Sequence, residues 1–259
     1  MVLPGQAPPA FVRSAAHPLR WRLLTELAGG DLRVRELTER VEQPQNLVSY
    51  HLRLLRTDGL VTARRSAFDA RDSYYHLDLD RCADALTGTG AALHPALRLA
   101  PAPTAPGPAG RRVAVLFACT GNSARSPIAE ALLRHRGGGR FEVTSAGSHP
   151  KKSLHPGAVR VLRERFGLDL GDRRPQHLDR VAGRRFDHVI TVCDRVREVC
   201  PDFGAQSRPT HWSIPDPAAT GDPGPDTEPA FTRVAAELDT RIRYLLPVLA
   251  GTAPTEVIP

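Results

Sequence analysis

The stretch FACTGNSARSPIAEALL, residues 117–133, decides the reading of the second half of this chain. The apolar, β-branched-rich run Val113–Ala118 ahead of it predicts a buried strand that ends on Cys119. Behind it, Ser126 suits a helix cap and Pro127 a first helical position, with Ile128, Ala131 and Leu132 facing inward. Between strand and helix lie Cys119, Thr120, Gly121, Asn122, Ser123, Ala124 and Arg125. A tight loop that enters a helix N-terminus turns successive backbone N–H groups towards one point, and the helix dipole adds positive potential there. Such a loop binds a tetrahedral oxyanion, and Arg125 can close over it with a two-pronged guanidinium. The same field predicts that Cys119 titrates ~2 units below the ~8.5 of a free thiol, with Ser126 donating to the sulfur. The loop is therefore expected to hold an oxyanion and to activate the thiol that attacks it.

Outward from this loop, residues 111–259 alternate as an α/β domain with a central parallel sheet. RFEVTSAG reads as a strand, and HPGAVRVLRERFG as a helix with Val159, Leu162 and Phe166 inward. FDHVITVC reads as a strand with Cys193 at its C-terminal end. EPAFTRVAAELDTRIRYLLPVL reads as the last helix, with Phe231, Val234, Leu238, Ile242 and Leu245 on one face. Ligands of open parallel sheets sit at strand C-termini, and Cys119 and Cys193 both occupy such ends. His188, His211 and Trp212 read as structural, and Asp187 and Asp194 as surface or capping groups.

The chain has 259 residues, 41% of them hydrophobic. That length suits two domains. The Ala/Pro/Gly-rich stretch over 96–110 reads as a linker, dividing a first domain over 1–95 from a second over 111–259. The first carries 12 arginines against 11 carboxylates; the second carries 22 lysines and arginines against 17 carboxylates. Most of the +7 net charge thus lies with the second half, where it suits an anionic substrate as well as DNA. Cys82, Cys119, Cys193 and Cys200 are too few and too spread for a disulfide framework or a zinc site. No run of about 18 apolar residues predicts a membrane span, and no basic-then-apolar leader opens the chain. A cytoplasmic protein with free thiols is expected.

In the first half, AHPLRWRLLTELAGG predicts a helix with Leu19, Leu23, Leu24 and Leu27 inward. DLRVRELTERV predicts a second, with Leu32, Val34, Leu37 and Val41 inward. A third follows Pro44, with Leu47, Val48, Leu52 and Leu55 as its buried stripe. LVTARRSAFDARDSYYHLDL then reads as strand, basic turn, strand. Together these describe an α+β winged helix-turn-helix. Gln45, Asn46, Ser49, Tyr50, His51 and Arg53 are expected on the outward face of the third helix, where such side chains read base edges. Arg64, Arg65 and Arg71 on the wing would meet phosphate.

QPQNLVSYHLRLLRTDGLV makes residues 10–85 resemble the ArsR-type winged-helix repressors, which implies double-stranded DNA as a partner and a homodimer. Where metalloid-sensing members carry Cys-Val-Cys, this chain has Arg33-Val34-Arg35, so the resemblance does not extend to a thiolate site for trivalent arsenic. ACTGNSARS, TSAGSHP, VITVCDRVREVCP and HWSIPDPA make residues 111–250 resemble the low-molecular-weight tyrosine phosphatase fold, and within it the thioredoxin-coupled arsenate reductases. That resemblance implies Cys119 as nucleophile, Arg125 and the loop amides as oxyanion binders, and Asp216 as general acid. It implies Cys193 as the thiol that attacks Cys119, Cys200 as the thiol that then pairs with Cys193, and thioredoxin as reductant. In relatives, positions matching Asn122, Glu130 and Ser145 help hold a potassium ion.

The chemistry itself leans the same way. A phosphatase needs one thiol, an arginine and an acid, whereas reducing arsenate takes two electrons, which a dithiol relay supplies. If residues 193–200 formed one helix, Cys193 and Cys200 would lie ~10.5 Å apart, too far for a bond that needs Cα atoms within ~7 Å, so that segment must loop or unwind. Ala218-Ala219 after Asp216-Pro217 offers no aromatic side chain to sandwich a phenyl ring. Two other readings stay open: a phosphatase acting on phosphotyrosine or a small phosphoester, and a repressor whose second domain is a non-catalytic sensor of arsenic or redox state.

Overall fold

The computed structural model describes residues 8–94, 112–171, 173–219 and 228–251. The chain forms two compact units, Met1–Pro103 and Thr104–Pro259. The expected linker over 96–110 lies outside the described residues.

The first unit begins with α1 (Ala10–Ala15) and α2 (Pro18–Ala28). Pro18 opens α2, where a missing N–H costs nothing, and the His17 ring nitrogen accepts from Leu19 N. β1 (Leu32–Arg33), α3 (Val34–Val41) and α4 (Gln45–Thr57) follow, with Glu42 left-handed at φ 53 in the turn between the helices. β2 (Val61–Arg65) and β3 (Ser73–Leu77) make the wing, and α5 (Leu79–Leu93) closes the unit. The strands form an antiparallel sheet in the order β1-β3-β2. Leu19, Leu23, Leu24, Leu27, Leu37, Val41, Val48, Leu52 and Leu55 share its core.

In this first unit the structure differs from the sequence reading in three places. Leu32 is buried as part of a strand rather than a helix: it pairs with Tyr75, and α3 starts only at Val34. On α4 the inward positions are Val48, His51, Leu52 and Leu55. These follow i, i+3, i+4, i+7 spacing, and Leu47 is one step, about 100°, out of phase. Leu47 is therefore 37% exposed and His51 only 5% exposed, the reverse of the expected assignment. Finally, α1 and α5 are helices that the sequence reading leaves unassigned.

The second unit runs β4 (Val113–Cys119), α6 (Arg125–Gly137), β5 (Phe141–Gly147), α7 (Pro156–Phe166), β6 (His188–Thr191), α8 (Asp194–Arg197), β7 (Arg208–His211) and α9 (Glu228–Gly251). The sheet is parallel throughout, in the order β5-β4-β6-β7. β4 lies between two neighbours and is buried along its whole length, as its unbroken apolar run requires. α6 packs on β5 and against α9, which also covers α7. Ile128, Leu132 and Leu133 of α6 are fully buried, each worth about 1.5–3 kcal/mol of apolar transfer. Phe231, Val234, Leu238 and Ile242 of α9 are buried as expected, while Leu245 is half-buried. On α7 the buried face is Ala158, Val161 and Leu162, with Val159 and Phe166 at its margin. β7, with its polar sequence RPTH, was not expected as a strand.

Candidate functional site

β4 delivers Cys119 to the C-terminal edge of the sheet, 2% exposed, and α6 starts at Arg125 with Ala124 as its cap. Ser126 is thus inside the first turn and not at the cap. The chain between is held from behind by residues 148–155. Cys119, Thr120, Gly121 and Ser123 direct their carbonyls to the N–H groups of Ser148, His149, Lys151 and His155, at 3.2, 2.8, 2.9 and 2.8 Å. Because a trans peptide points its N–H opposite its C=O, the loop amides face the other way, towards the interior of the loop. Asn122 N donates to Cys119 Sγ at 3.2 Å, in keeping with that orientation.

Asn122 adopts a left-handed φ of 45, unfavourable for a residue with a Cβ, and its side chain is tied on both ends. Its Nδ2 donates to Ser126 Oγ and Ser145 Oγ, each at 2.9 Å, and its Oδ1 accepts from Gln176 N at 2.8 Å. Ser126 Oγ lies 3.0 Å from Cys119 Sγ. Gly147, at the end of β5, passes so close that a Cβ there would lie 2.6 Å from Thr120 O and 2.9 Å from Asn122 N. Glycine is required because the backbone of the loop occupies that space.

Arg125 is 8% exposed. Its Nη1 donates to Ile214 O and its Nη2 to Asp216 Oδ2, both at 3.1 Å. The guanidinium and the carboxylate therefore stand at the same mouth, and Asp216 remains 44% exposed. Asp216 Oδ1 accepts from Ala218 N. The loop beyond, residues 220–227, lies outside the described residues.

One expectation is overturned. Cys119 was expected to titrate below an ordinary thiol; its pKa is instead raised, because burial disfavours the thiolate. Arg125 pulls the other way, Cys193 adds to the rise, and the bonds from Ser126 lower it. Desolvation wins because the sulfur lies wholly inside the fold.

The neighbouring strand supplies the second thiol. Ala118 of β4 is paired with Thr191 of β6, and Val192 N donates to Ala118 O at 2.7 Å. Two residues further on, the Thr120 hydroxyl and Cys193 Sγ come within 3.3 Å. α8 is only four residues long and stops at Arg197, so residues 193–200 do not form one helix. Cys200 is half-buried, and burial pushes its thiol up to about 11. All four cysteines are free thiols. Around this segment, Asp194, expected as a surface or capping group, is neither: it opens α8 behind the Cys193 cap, is 3% exposed, and its Oδ1 lies 3.2 Å from His211 Nε2, whose Nδ1 reaches Thr191 Oγ1 at 2.8 Å. Asp187 accepts from Ala114 N at 2.7 Å, a structural role. His188 is buried in β6, and Trp212 packs on Phe117 with ring centroids 5.8 Å apart.

The residues expected beside a potassium ion do not fit one. Glu130 Oε2 accepts from Ser145 Oγ at 2.6 Å, and its Oε1 lies 2.7 Å from Arg134 Nη2 and 2.8 Å from Arg173 Nη1. Asn122 turns its NH₂ group, not its oxygen, to Ser145, and the oxygen is occupied by Gln176 N. A hard cation needs free oxygens, and here they face N–H and O–H donors. Arg173 and Gln176 escaped the sequence reading: they come from an irregular stretch some fifty residues past the loop and carry no local signal.

In the first unit, α3, the turn at Glu42 and α4 make a helix-turn-helix. Gln45, Asn46, Tyr50 and Arg53 are exposed on α4 and Ser49 partly so, whereas His51 is buried against His17, ring centroids 4.3 Å apart. His51 therefore leaves the set of candidate base readers. On the wing Arg65 and Arg71 are exposed and Arg64 partly so; Arg71 pairs with Asp69 at 3.2 Å. Arg33, in place of a cysteine, pairs with Glu36 and Asp72 at 3.2 and 3.3 Å, tying the start of α3 to the wing. Cys82 is pushed up to about 11, chiefly by burial, and its Sγ faces Leu60 O.

The pattern of the low molecular weight phosphotyrosine protein phosphatases matches residues 114–254, and that of the bacterial regulatory proteins of the arsR family matches residues 17–63. An arsenate reductase of Shouchella clausii is 34% identical over 131 residues, 50% of this chain and 91% of that protein. One of Halalkalibacterium halodurans is 31% identical over 129 residues, again 50% of this chain and 91% of that protein. A crystal structure of an arsenate reductase from Archaeoglobus fulgidus shares 31% identity at a TM-score of 0.43, covering 51% of this chain and 98% of that one. Half of this chain thus accounts for nearly the whole length of those relatives. With residues 17–63 carrying the arsR-family match ahead of it, the chain belongs to the low molecular weight phosphotyrosine protein phosphatase family.

Proposed function

We propose that residues 111–259 reduce arsenate to arsenite and that residues 1–95 bind double-stranded DNA as part of a homodimer, in the reducing cytoplasm. The observation that carries the reductase reading is the second thiol beside the anion loop: Cys193 Sγ lies 3.3 Å from the hydroxyl of Thr120, the residue that follows Cys119. A phosphatase has no use for it.

Arsenate binds in the loop against the inward amides of Thr120, Gly121, Asn122, Ser123 and Ala124 and the Arg125 guanidinium. The incoming arsenate dianion takes the Cys119 proton. The sulfur attacks arsenic; an As–O bond breaks, and Asp216 protonates the departing oxygen, which leaves as water. Cys193 then attacks Cys119 Sγ. The S–S bond forms as the S–As bond breaks, arsenic keeps the electron pair, and arsenite departs. Cys200 attacks Cys193 Sγ, Cys119 is released as a thiol, and a Cys193–Cys200 disulfide remains for thioredoxin to reduce. The short α8 supports the last step, because Cys200 has no continuous helix to keep it at a distance.

The DNA reading is supported by the exposed polar face of α4, with Gln45, Asn46, Ser49, Tyr50 and Arg53, and by Arg64, Arg65 and Arg71 on the wing. Cys82 offers a single protonated thiol and no cluster for arsenite.

The test is arsenate-dependent oxidation of reduced thioredoxin by the wild type, Cys193→Ser and Cys200→Ser. Turnover in the wild type alone is the expected result. Hydrolysis of an aryl phosphate without reductant, retained in Cys193→Ser and accompanied by no arsenate turnover in any form, would make the protein a phosphatase.

A further inference from the structure

Behind the anion loop lies a carboxylate that the mechanism above does not use. Glu130, one turn into α6, is 8% exposed and stands on the far side of Asn122 and Ser145 from the sulfur. A buried negative charge so placed works against a loop that must attract a dianion. Something must neutralise it and still leave it free to hold Ser145.

Two guanidinium groups do so. Arg134, one turn further along α6, and Arg173, from the stretch that follows α7, meet the same oxygen, Oε1, at 2.7 and 2.8 Å. Arg134 is anchored in turn on Val143 O. The Arg173 side chain is 36% exposed overall, but its Nη1 end is buried, and the contact is an ion pair whose N–H is not aligned for a hydrogen bond. Oε2 is thereby left for the Ser145 hydroxyl, which accepts from Asn122 Nδ2, which reaches Ser126 and so the sulfur. Three residues beyond Arg173, Gln176 N holds the other end of the same Asn122 side chain. Arg173 therefore lies on the one stretch of chain that fixes Asn122 from its oxygen side while pairing the carboxylate that fixes it from its nitrogen side.

We propose that Arg173 is a positioning residue for Cys119: with Arg134 it is a built-in cation that fixes Glu130, and through Ser145 and Asn122 it holds the left-handed turn of the anion loop, so that no alkali-metal ion is needed there. The inference rests on residues 119–125 being an oxyanion loop, and not on arsenate being its substrate.

Inorganic phosphate is the probe, with the full chain reduced and its dissociation constant measured by calorimetry in potassium, sodium and choline chloride. The wild type should bind phosphate equally in all three salts. Arg173→Gln should weaken phosphate about tenfold, the size of one charge-assisted interaction, and slow alkylation of Cys119 at fixed pH, followed by mass spectrometry of its peptide. Arg173→Lys should restore both. A wild type that binds phosphate several-fold tighter in potassium would overturn the inference. So would an Arg173→Gln protein that melts lower but keeps the wild-type phosphate constant and Cys119 reactivity, since Arg173 would then be structural only. Should the wild type bind no phosphate, the oxyanion reading of the loop fails and the inference fails with it. A protein that follows this pattern yet never reduces arsenate keeps the positioning role and loses the reductase assignment.

Discussion

Two adjacent strands of one sheet end in the same way and then diverge. β4 ends on Cys119 and leads through its loop into α6; β6 ends on Thr191, and Cys193, two residues on, caps α8. α6 has 13 residues, and every position from Arg125 to Leu133 is buried. Its loop is fixed by four carbonyl bonds to residues 148–155 and by the side chains around Asn122. α8 has four residues, too few for a helix to be stable by itself. It is followed by a stretch in which Val199 is 58% exposed and Cys200 half-buried. The shared topology puts both thiols at the same edge of the sheet, Cys193 Sγ within 3.3 Å of the hydroxyl of the residue after Cys119. The proposed relay would use that difference, keeping one loop's geometry fixed while the segment after α8 moves.

The largest effect should come from the fixed side. Cys119→Ser should remove arsenate turnover by at least about 10⁴-fold, as the loss of a nucleophile does, while phosphate still binds. Cys193→Ser should abolish multiple turnover but leave phosphate affinity within about twofold, because its Sγ meets the loop at the Thr120 hydroxyl, 3.3 Å away, and not at an anion-binding amide. If Cys193→Ser destroyed phosphate binding as well, the two loops would not be separable. Asp216→Asn should lower kcat by about 10²–10⁴-fold, the usual weight of a general acid, with the loss eased for substrates whose leaving oxygen needs no proton.

A smaller effect separates the loops by packing alone. Gly147→Ala puts a methyl group on Thr120 O and Asn122 N, which are backbone atoms and cannot rotate away. It should cost about 1–3 kcal/mol in thermal or urea unfolding and weaken phosphate binding more than arsenate-independent folding of α8. Phosphate affinity unchanged in a destabilised Gly147→Ala protein would mean that the loop is not held by its close approach to β5.

What could be read along the chain, and what could not, follows the same division. The apolar run Val113–Ala118 and the Gly-Asn loop before Ser126-Pro127 are local signals, and strand, loop and α6 stand where they point. The strand within FDHVITVC was legible, but it ends at Thr191, so Cys193 caps α8 two residues past the strand end instead of closing the strand. The network behind Asn122 was not: Ser145, Gln176 and Arg173 are brought to it by β5 and by an irregular stretch, and no spacing encodes that meeting. β7 has too little apolar content to announce itself, since its partners bury it only at His211. The lowered pKa expected of Cys119 failed for a physical reason. Helix dipole and arginine can be read locally, whereas the depth of burial that outweighs them belongs to the packed sheet. His51 was misplaced because an exposed leucine and a buried histidine on α4 reverse the polarity that the pattern assumes.

The smallest effect concerns Cys200 on the yielding side. Burial raises its thiol from an ordinary 9.0 to about 11. A thiol whose folded pKa exceeds its unfolded value favours folding fully below about pH 9, and that contribution drains away as pH climbs from about 9 to 11, because the unfolded chain ionises first. Stability to urea should therefore slope downward across that window, and Cys200→Ser should reduce the slope; Cys82, raised to about 11 in the first unit, and Cys119, raised by burial, add slopes that Cys200→Ser leaves in place. The same burial makes Cys200 slow to alkylate at pH 8. If the segment after α8 is drawn out when Cys193 bonds to Cys119, trapping that bond should speed alkylation of Cys200 by bringing its sulfur into water. A Cys200 equally slow before and after the trap would mean that its stretch stays packed, and the contrast between a loop that holds and a loop that travels would not survive.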